Sequence, residues 1–305
     1  MKVSQIYTKT LKFVWLKLGL GLLEIVLSAL LLVICLGLAA LLNSTGAFGL
    51  LILVWLGGTA FLHSVITHYI GYLVKAGHVA IVAHIVSSGQ LPENQFETAK
   101  QMVTERFATS NVYFVVDKLV SGAVHQLQNT LQSVDNLLGN IPGVSALLTI
   151  AKVFVGIALG YVDECCLGYT FINREQSAFK SAADGVVIYF QNWKRLLKDA
   201  VKMTFLVIVT VILSTILSMT VFGGLFRILN WNGFIAFIIS VFVAFVIKTA
   251  FIDSYMMVKM MVSYLEVAPH TQITFDLYDK LCNLSKKFKE LFTKATNNNG
   301  SLESA

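Results

Sequence analysis

Between Ile25 and Val74 the chain runs for fifty residues without one Asp, Glu, Lys or Arg. An apolar helix of about 20 residues is enough to cross a bilayer. This run therefore predicts two crossings, near 13–42 and 47–74, turning at Asn43-Ser44-Thr45-Gly46. A second pair is predicted near 203–226, which is uncharged, and near 234–266, which carries Lys248 and Asp253 and is ended by Pro269. Two weaker segments lie between the pairs. Residues 144–162 carry no charge apart from Lys152, and residues 107–131 are of marginal hydropathy, with Val112, Tyr113, Phe114, Val115, Val116, Leu119 and Val120 set around Asp117-Lys118.

The distribution of Lys and Arg decides how the weak segments are counted. Residues 1–17 hold Lys2, Lys9, Lys12 and Lys17 and no acid, so they are expected in the cytoplasm. The basic stretch 163–202 is expected there too, but a crossing at 144–162 alone would place it outside. Counting 107–131 as a crossing restores the rule. The expected fold is then an all-α, polytopic transmembrane helical bundle of about six spans in the cell membrane, with both termini cytoplasmic. Ser177 to Lys202 mixes aromatics with basic residues and predicts an amphipathic interfacial helix over 177–202. Residues 269–305 read as a basic cytoplasmic tail, disordered from about 295.

Composition agrees with lipid as the solvent. Hydrophobic residues make up 56% of the 305 positions and charged residues 13%, with a mean hydropathy of +0.73. The net charge of +6 reports loop orientation, and no nucleic-acid partner is expected. Cys35, Cys165, Cys166 and Cys282 form neither a disulfide framework nor a zinc spacing.

Candidate chemistry follows from the cost of charge in hydrocarbon, which makes each ionisable residue in a span a functional candidate. These are Glu24, Asp117, Lys118, Lys152, Lys248 and Asp253. Lys152 or Lys248 could neutralise Asp117 or Asp253. Asp163-Glu164 reads as an interfacial acidic pair. A methylated cation would need a carboxylate and an aromatic cage. Trp55, Phe61, Tyr69, Tyr72, Tyr113, Phe114 and Tyr255 could supply the rings. His63 and His68, five apart, are offset on an α-helix and read as structural rather than metal-binding, as do His78 and His84. No phosphate loop, nucleophile elbow or metalloprotease motif is present. No cofactor, no metal and no enzymatic activity are expected.

Several stretches together resemble the C-terminal half of the choline transporter-like proteins. They are Gly71 to Ala83 (GYLVKAGHVAIVA), Tyr113 to Gly122 (YFVVDKLVSG), Phe171-Ile172-Asn173-Arg174, Gln191-Asn192-Trp193 with the basic run to Lys202, and Phe251 to Glu266 (FIDSYMMVKMMVSYLE). That family's first half, with its large extracellular loop, and its cysteine-rich connection are missing, apart from Cys165-Cys166. The resemblance implies a polytopic protein that moves a small organic cation such as choline. A half-length relative leaves room for a homo-oligomer. The alternatives are a non-catalytic structural or scaffolding membrane protein, and an oligomeric ion channel. In all three the bilayer is a partner, and a small molecule or ion is the substrate of the first and third.

Overall fold

A computed structural model describes residues 1–107, 110–138, 155–228 and 233–302. Every element among them is helical, so the fold is all-α. In chain order these are α1 (Val3–Lys9), α2 (Leu11–Leu42), α3 (Thr45–His63), α4 (Gly71–Ser88), α5 (Gln95–Phe107), α6 (Ser110–Leu138) and α7 (Val162–Ile172). They are followed by α8 (Ala178–Gln191), α9 (Trp193–Ile228), α10 (Gly233–Ile247), α11 (Asp253–Leu265), α12 (Phe275–Leu284) and α13 (Lys286–Leu302). Two π-helical segments, Ser64–Ile70 and Lys248–Ile252, join α3 to α4 and α10 to α11 without a break.

The chain divides into two compact units, a spanning unit of Leu11–Ala76 with Val209–Ser254 and a packed unit of Met1–Thr10, Gly77–Ile208 and Tyr255–Ala305. In the spanning unit α2 and α3 form an antiparallel hairpin. Asn43, at φ 42°, makes the turn in the left-handed region, where a short polar side chain is tolerated. Ser44 caps α3 by accepting from the Ala47 amide. The hairpin helices touch closely: a Cβ on Gly58 would stand 2.5 Å from a Leu31 methyl. Elsewhere their apolar side chains point outward, with Leu30, Val33, Leu41, Leu50 and Phe61 each more than half exposed. Such a surface needs lipid around it.

Among the described residues five helices are long and apolar enough to cross a membrane: Leu11–Leu42, Thr45–Ser88, Val155–Ile172, Trp193–Ile228 and Ala236–His270. The protein is accordingly an integral membrane protein. Four of the five agree with the predicted spans near 13–42, 47–74, 203–226 and 234–266. The most apolar window of each of these four is only 6% to 28% covered, whereas Val155–Ile172 is 56% covered. The expected span 144–162 lies outside the described residues as far as 154.

Residues 107–131 are not among the five. They belong largely to α6, whose buried Tyr113, Val116, Val120, Ala123, Val124 and Leu127 follow a spacing of three and four, while Lys118, Ser121, His125 and Asn129 are exposed, with Phe114 and Val115 beside them. That is one apolar stripe facing a protein core, and a lipid-facing helix would be apolar all round. The expected interfacial helix is also different. It breaks at Asn192, and its first part, α8, is buried along nearly its whole length from Ala178 to Tyr189. Small residues at Ala178, Ser181, Ala182, Ala183 and Gly185 let neighbours approach on several sides. The tail is helical to Leu302, and α13 buries Phe288, Leu291 and Ala295 against α6 and α8.

A buried tyrosine–carboxylate clamp holds the tail to the packed unit. Asp184 on α8 accepts from Lys180 Nζ at 2.5 Å, from Gln176 Nε2 at 2.7 Å and from the Tyr278 hydroxyl of α12. Arg106 fastens the end of α7. Its Nε donates to the Thr170 carbonyl at 2.5 Å, and Nη2 donates to the Asn173 carbonyl at 2.9 Å and Ser181 Oγ at 2.8 Å.

Candidate functional site: a polar seam in the spanning helices

The hairpin places Glu24 opposite His63. Glu24 lies 18 residues before the end of α2 and His63 lies 18 residues after the start of α3, so the two are level. Glu24 Oε1 is 2.8 Å from His63 Nδ1, and its Oε2 accepts from Thr67 Oγ1 at 2.7 Å. One turn further, Ser28 and Thr59 hydroxyls meet at 3.1 Å, and Trp55 Nε1 donates to the Ser28 carbonyl at 3.1 Å. The seam thus runs along the contact face of the hairpin. The rise from Lys17 to Glu24 is about 10 Å, roughly a third of the ~30 Å hydrocarbon thickness.

The π-helical segment shapes the lower end of the seam. An extra residue per turn brings positions five apart onto one face. His63 and His68, offset on an ideal α-helix, therefore meet edge to face at 5.1 Å. The same geometry recurs at Lys248–Ile252. Lys248 Nζ and Asp253 Oδ2, also five apart, pair at 2.9 Å. Beside them Lys17 Nζ donates to Ser254 Oγ at 3.0 Å, and Trp15 stands edge-on to Phe251 at 5.3 Å. Segments of this kind often mark functional positions.

The remaining predicted site residues do not converge on the seam. Asp117 and Tyr113 lie in the packed unit, both buried. Tyr113 packs edge-on to Phe107 at 4.8 Å and against Phe171 at 6.3 Å. Lys118 is exposed with its ammonium 4.5 Å from the Phe114 ring centre. Tyr255 stands edge-on to Tyr7 at 5.2 Å in the same unit. Glu164 is buried at the start of α7. Lys152 lies outside the described residues. Of the neutralising pairs expected among Lys152, Lys248, Asp117 and Asp253, the described residues show Lys248 with Asp253, within one continuous helix.

Thr67, Ser254 and Lys17 were not marked by the sequence pattern. A hydroxyl or a terminal lysine in a span is ordinary, and only its partner makes it part of a site. Among the described residues no group of three or more His, Cys, Asp or Glu side chains is placed to hold a metal ion. Compared with known protein families, curated proteins and solved structures, the chain matches none.

Proposed function

We propose that this protein is a transporter or facilitator of a small organic cation of the choline type, with Glu24 as the cation-attracting group. The observation that carries the reading is the Glu24 carboxylate held between His63 and Thr67 inside the spanning hairpin. A carboxylate in hydrocarbon is costly and is kept where it has work to do. Only two of its acceptor positions are used by these partners, so a methylated cation could still approach it. The resemblance to choline transporter-like proteins points to the same substrate class.

We further propose four crossings, by α2, α3 and the spanning parts of α9 and α10, with both termini cytoplasmic. Dropping 107–131 and 144–162 together keeps residues 75–202 on the side of the basic N-terminus, so the positive-inside rule is met as well as with six. A cysteine replacing exposed Lys118, in a chain with Cys282 changed to serine, tests this in intact cells. A membrane-permeant maleimide should label it and an impermeant one should not. Labelling by neither would return 107–131 to the bilayer.

Uptake of radiolabelled choline into proteoliposomes tests the function. Glu24→Gln should lower the rate by about tenfold or more, the loss expected for ~1.4 kcal/mol of charge attraction. Asp117→Asn, in the packed unit, should leave it near the wild-type value. A folded protein with no uptake, or with uptake unchanged by Glu24→Gln, refutes the proposal. It would favour the second reading, a scaffold whose spanning charges only fix helix packing. The closed Lys248–Asp253 pair is the observation on that side.

A further inference from the structure

The packed unit contains a cavity of about 510 Å³ that the transport reading does not use. Its walls are almost wholly apolar and include Leu127, Tyr189, Trp193, Leu197, Leu281 and Leu284. The Tyr189 hydroxyl is turned away from ligand chemistry, donating to the Ala158 carbonyl at 2.6 Å. The volume lies within the range of about 300–1,000 Å³ usual for small-molecule pockets. A pocket with so little polar lining selects a hydrocarbon chain.

What sits at its edge adds the second half of the recognition. Trp193 and Leu197 also line a shallower groove completed by Lys194, Lys198, Val201 and Lys202. Lys194, Lys198 and Lys202 are four residues apart, so they form one basic row along the first turns of α9. All three are exposed, and none pairs with a carboxylate among the described residues. The neighbouring cations are engaged: Arg195 pairs with Glu266 at 2.8 Å and Lys259 with Asp199 at 3.3 Å. The same helix continues into a membrane-length apolar stretch.

We infer that this is a binding site for an anionic phospholipid, with one acyl chain in the cavity and the phosphate over Lys194, Lys198 and Lys202. A basic row beside a membrane segment attracts anionic headgroups, and the adjoining cavity accepts the chain that such a headgroup carries. The site is independent of Glu24 and of transport.

Trp193 is the natural reporter. The full chain is purified in detergent with Trp15, Trp55 and Trp231 changed to Phe, and titrated with brominated-chain phosphatidylglycerol. Quenching of Trp193 should saturate at a lipid concentration about tenfold or more below that needed with phosphatidylcholine carrying the same chains. Lys194→Gln, Lys198→Gln and Lys202→Gln together should abolish that preference. Ala158→Phe, which fills the cavity, should remove saturable quenching by both lipids. If that variant does not fold, Leu284→Glu at the half-exposed mouth makes the same test. Equal saturation by the two lipids overturns the inference. So does quenching unaffected by Leu284→Glu, or a brominated fatty acid saturating at as low a concentration as phosphatidylglycerol.

Discussion

Removal of the Tyr278 hydroxyl tests whether the C-terminal helices are part of the packed unit or merely rest on it. Asp184 is 3% exposed and accepts from three donors: Lys180 on α8, Tyr278 on α12 and Gln176 in the loop before α8. In Tyr278→Phe the carboxylate keeps Lys180 and Gln176, so no charge is left stranded. The ring also keeps its neighbours, Phe288 at 5.7 Å, Phe292 at 5.1 Å and the Lys180 ammonium at 4.9 Å. The loss is the hydrogen bond to the charged acceptor and the longer one that the hydroxyl accepts from Lys180 Nζ at 3.2 Å, together about 2 kcal/mol because Lys180 keeps its carboxylate partner. For a unit of this size that is a fall of roughly 5 °C in melting temperature. Asp184→Ala should cost more, about 3 kcal/mol, because the Tyr278 hydroxyl and Gln176 amide lose their acceptor and the half-sheltered Lys180 its counter-charge.

Thermal unfolding of the detergent-solubilised protein measures both, and limited proteolysis shows whether residues after Thr274 are released first. The pH dependence adds an independent check. Burial and the Asp184 charge push the Tyr278 hydroxyl well above its ordinary value. A group raised in this way contributes stability that is intact below about pH 10, the value in the unfolded chain, and declines as pH rises above it. The advantage of wild type over Tyr278→Phe should therefore shrink at alkaline pH. Equal melting temperatures at neutral pH, or a milder effect for Asp184→Ala than for Tyr278→Phe, would refute the clamp.

Other substitutions test other joints. Gly185→Ala would bring a Cβ to 3.2 Å from both the Cα and the Cβ of buried Cys166, and it should destabilise by about 1–3 kcal/mol in the same melt. Arg106→Lys keeps the charge but cannot reach three acceptors on α7 and α8 at once. It should cost about 1–2 kcal/mol, and no change would show that the end of α7 needs no cap. Asn43→Gly should melt like wild type, because its positive φ suits glycine. Asn43→Val should lose about 1–2 kcal/mol, and an unaffected Asn43→Val would remove the turn from its place in the hairpin.

The hairpin was the most legible part of the chain. A charge-free run with one cluster of turn formers fixes both helices, and counting outward from Asn43 along one helix and from Ser44 along the other pairs Glu24 with His63 and Ser28 with Thr59. That count would have turned a lone intramembrane glutamate into a site. The π-helical segments were not legible in this way. They align residues five apart, and nothing in the apolar residues around His63–His68 or Lys248–Asp253 announces the extra residue in the turn. The tail hid its packing behind its lysines. Phe288, Leu291 and Ala295 carry a helical spacing of three and four, yet the surrounding basic composition read as a disordered end.

The middle of the chain shows a different kind of limit. Hydropathy weighs how apolar a segment is, whereas the three-and-four spacing of Tyr113, Val116, Val120 and Ala123 says where the apolar side chains face. Only the second distinguishes a core helix such as α6 from a lipid-facing one. The charge rule could not make up the difference. It fixes the side on which a basic loop lies, and so only whether the number of crossings before it is odd or even. Two weak segments added together, or removed together, leave every basic loop where it was. The reading of 107–131 as a crossing rests on its parity with 144–162, whereas 144–162 stands on its own apolar run, part of which recurs in the membrane-length helix Val155–Ile172.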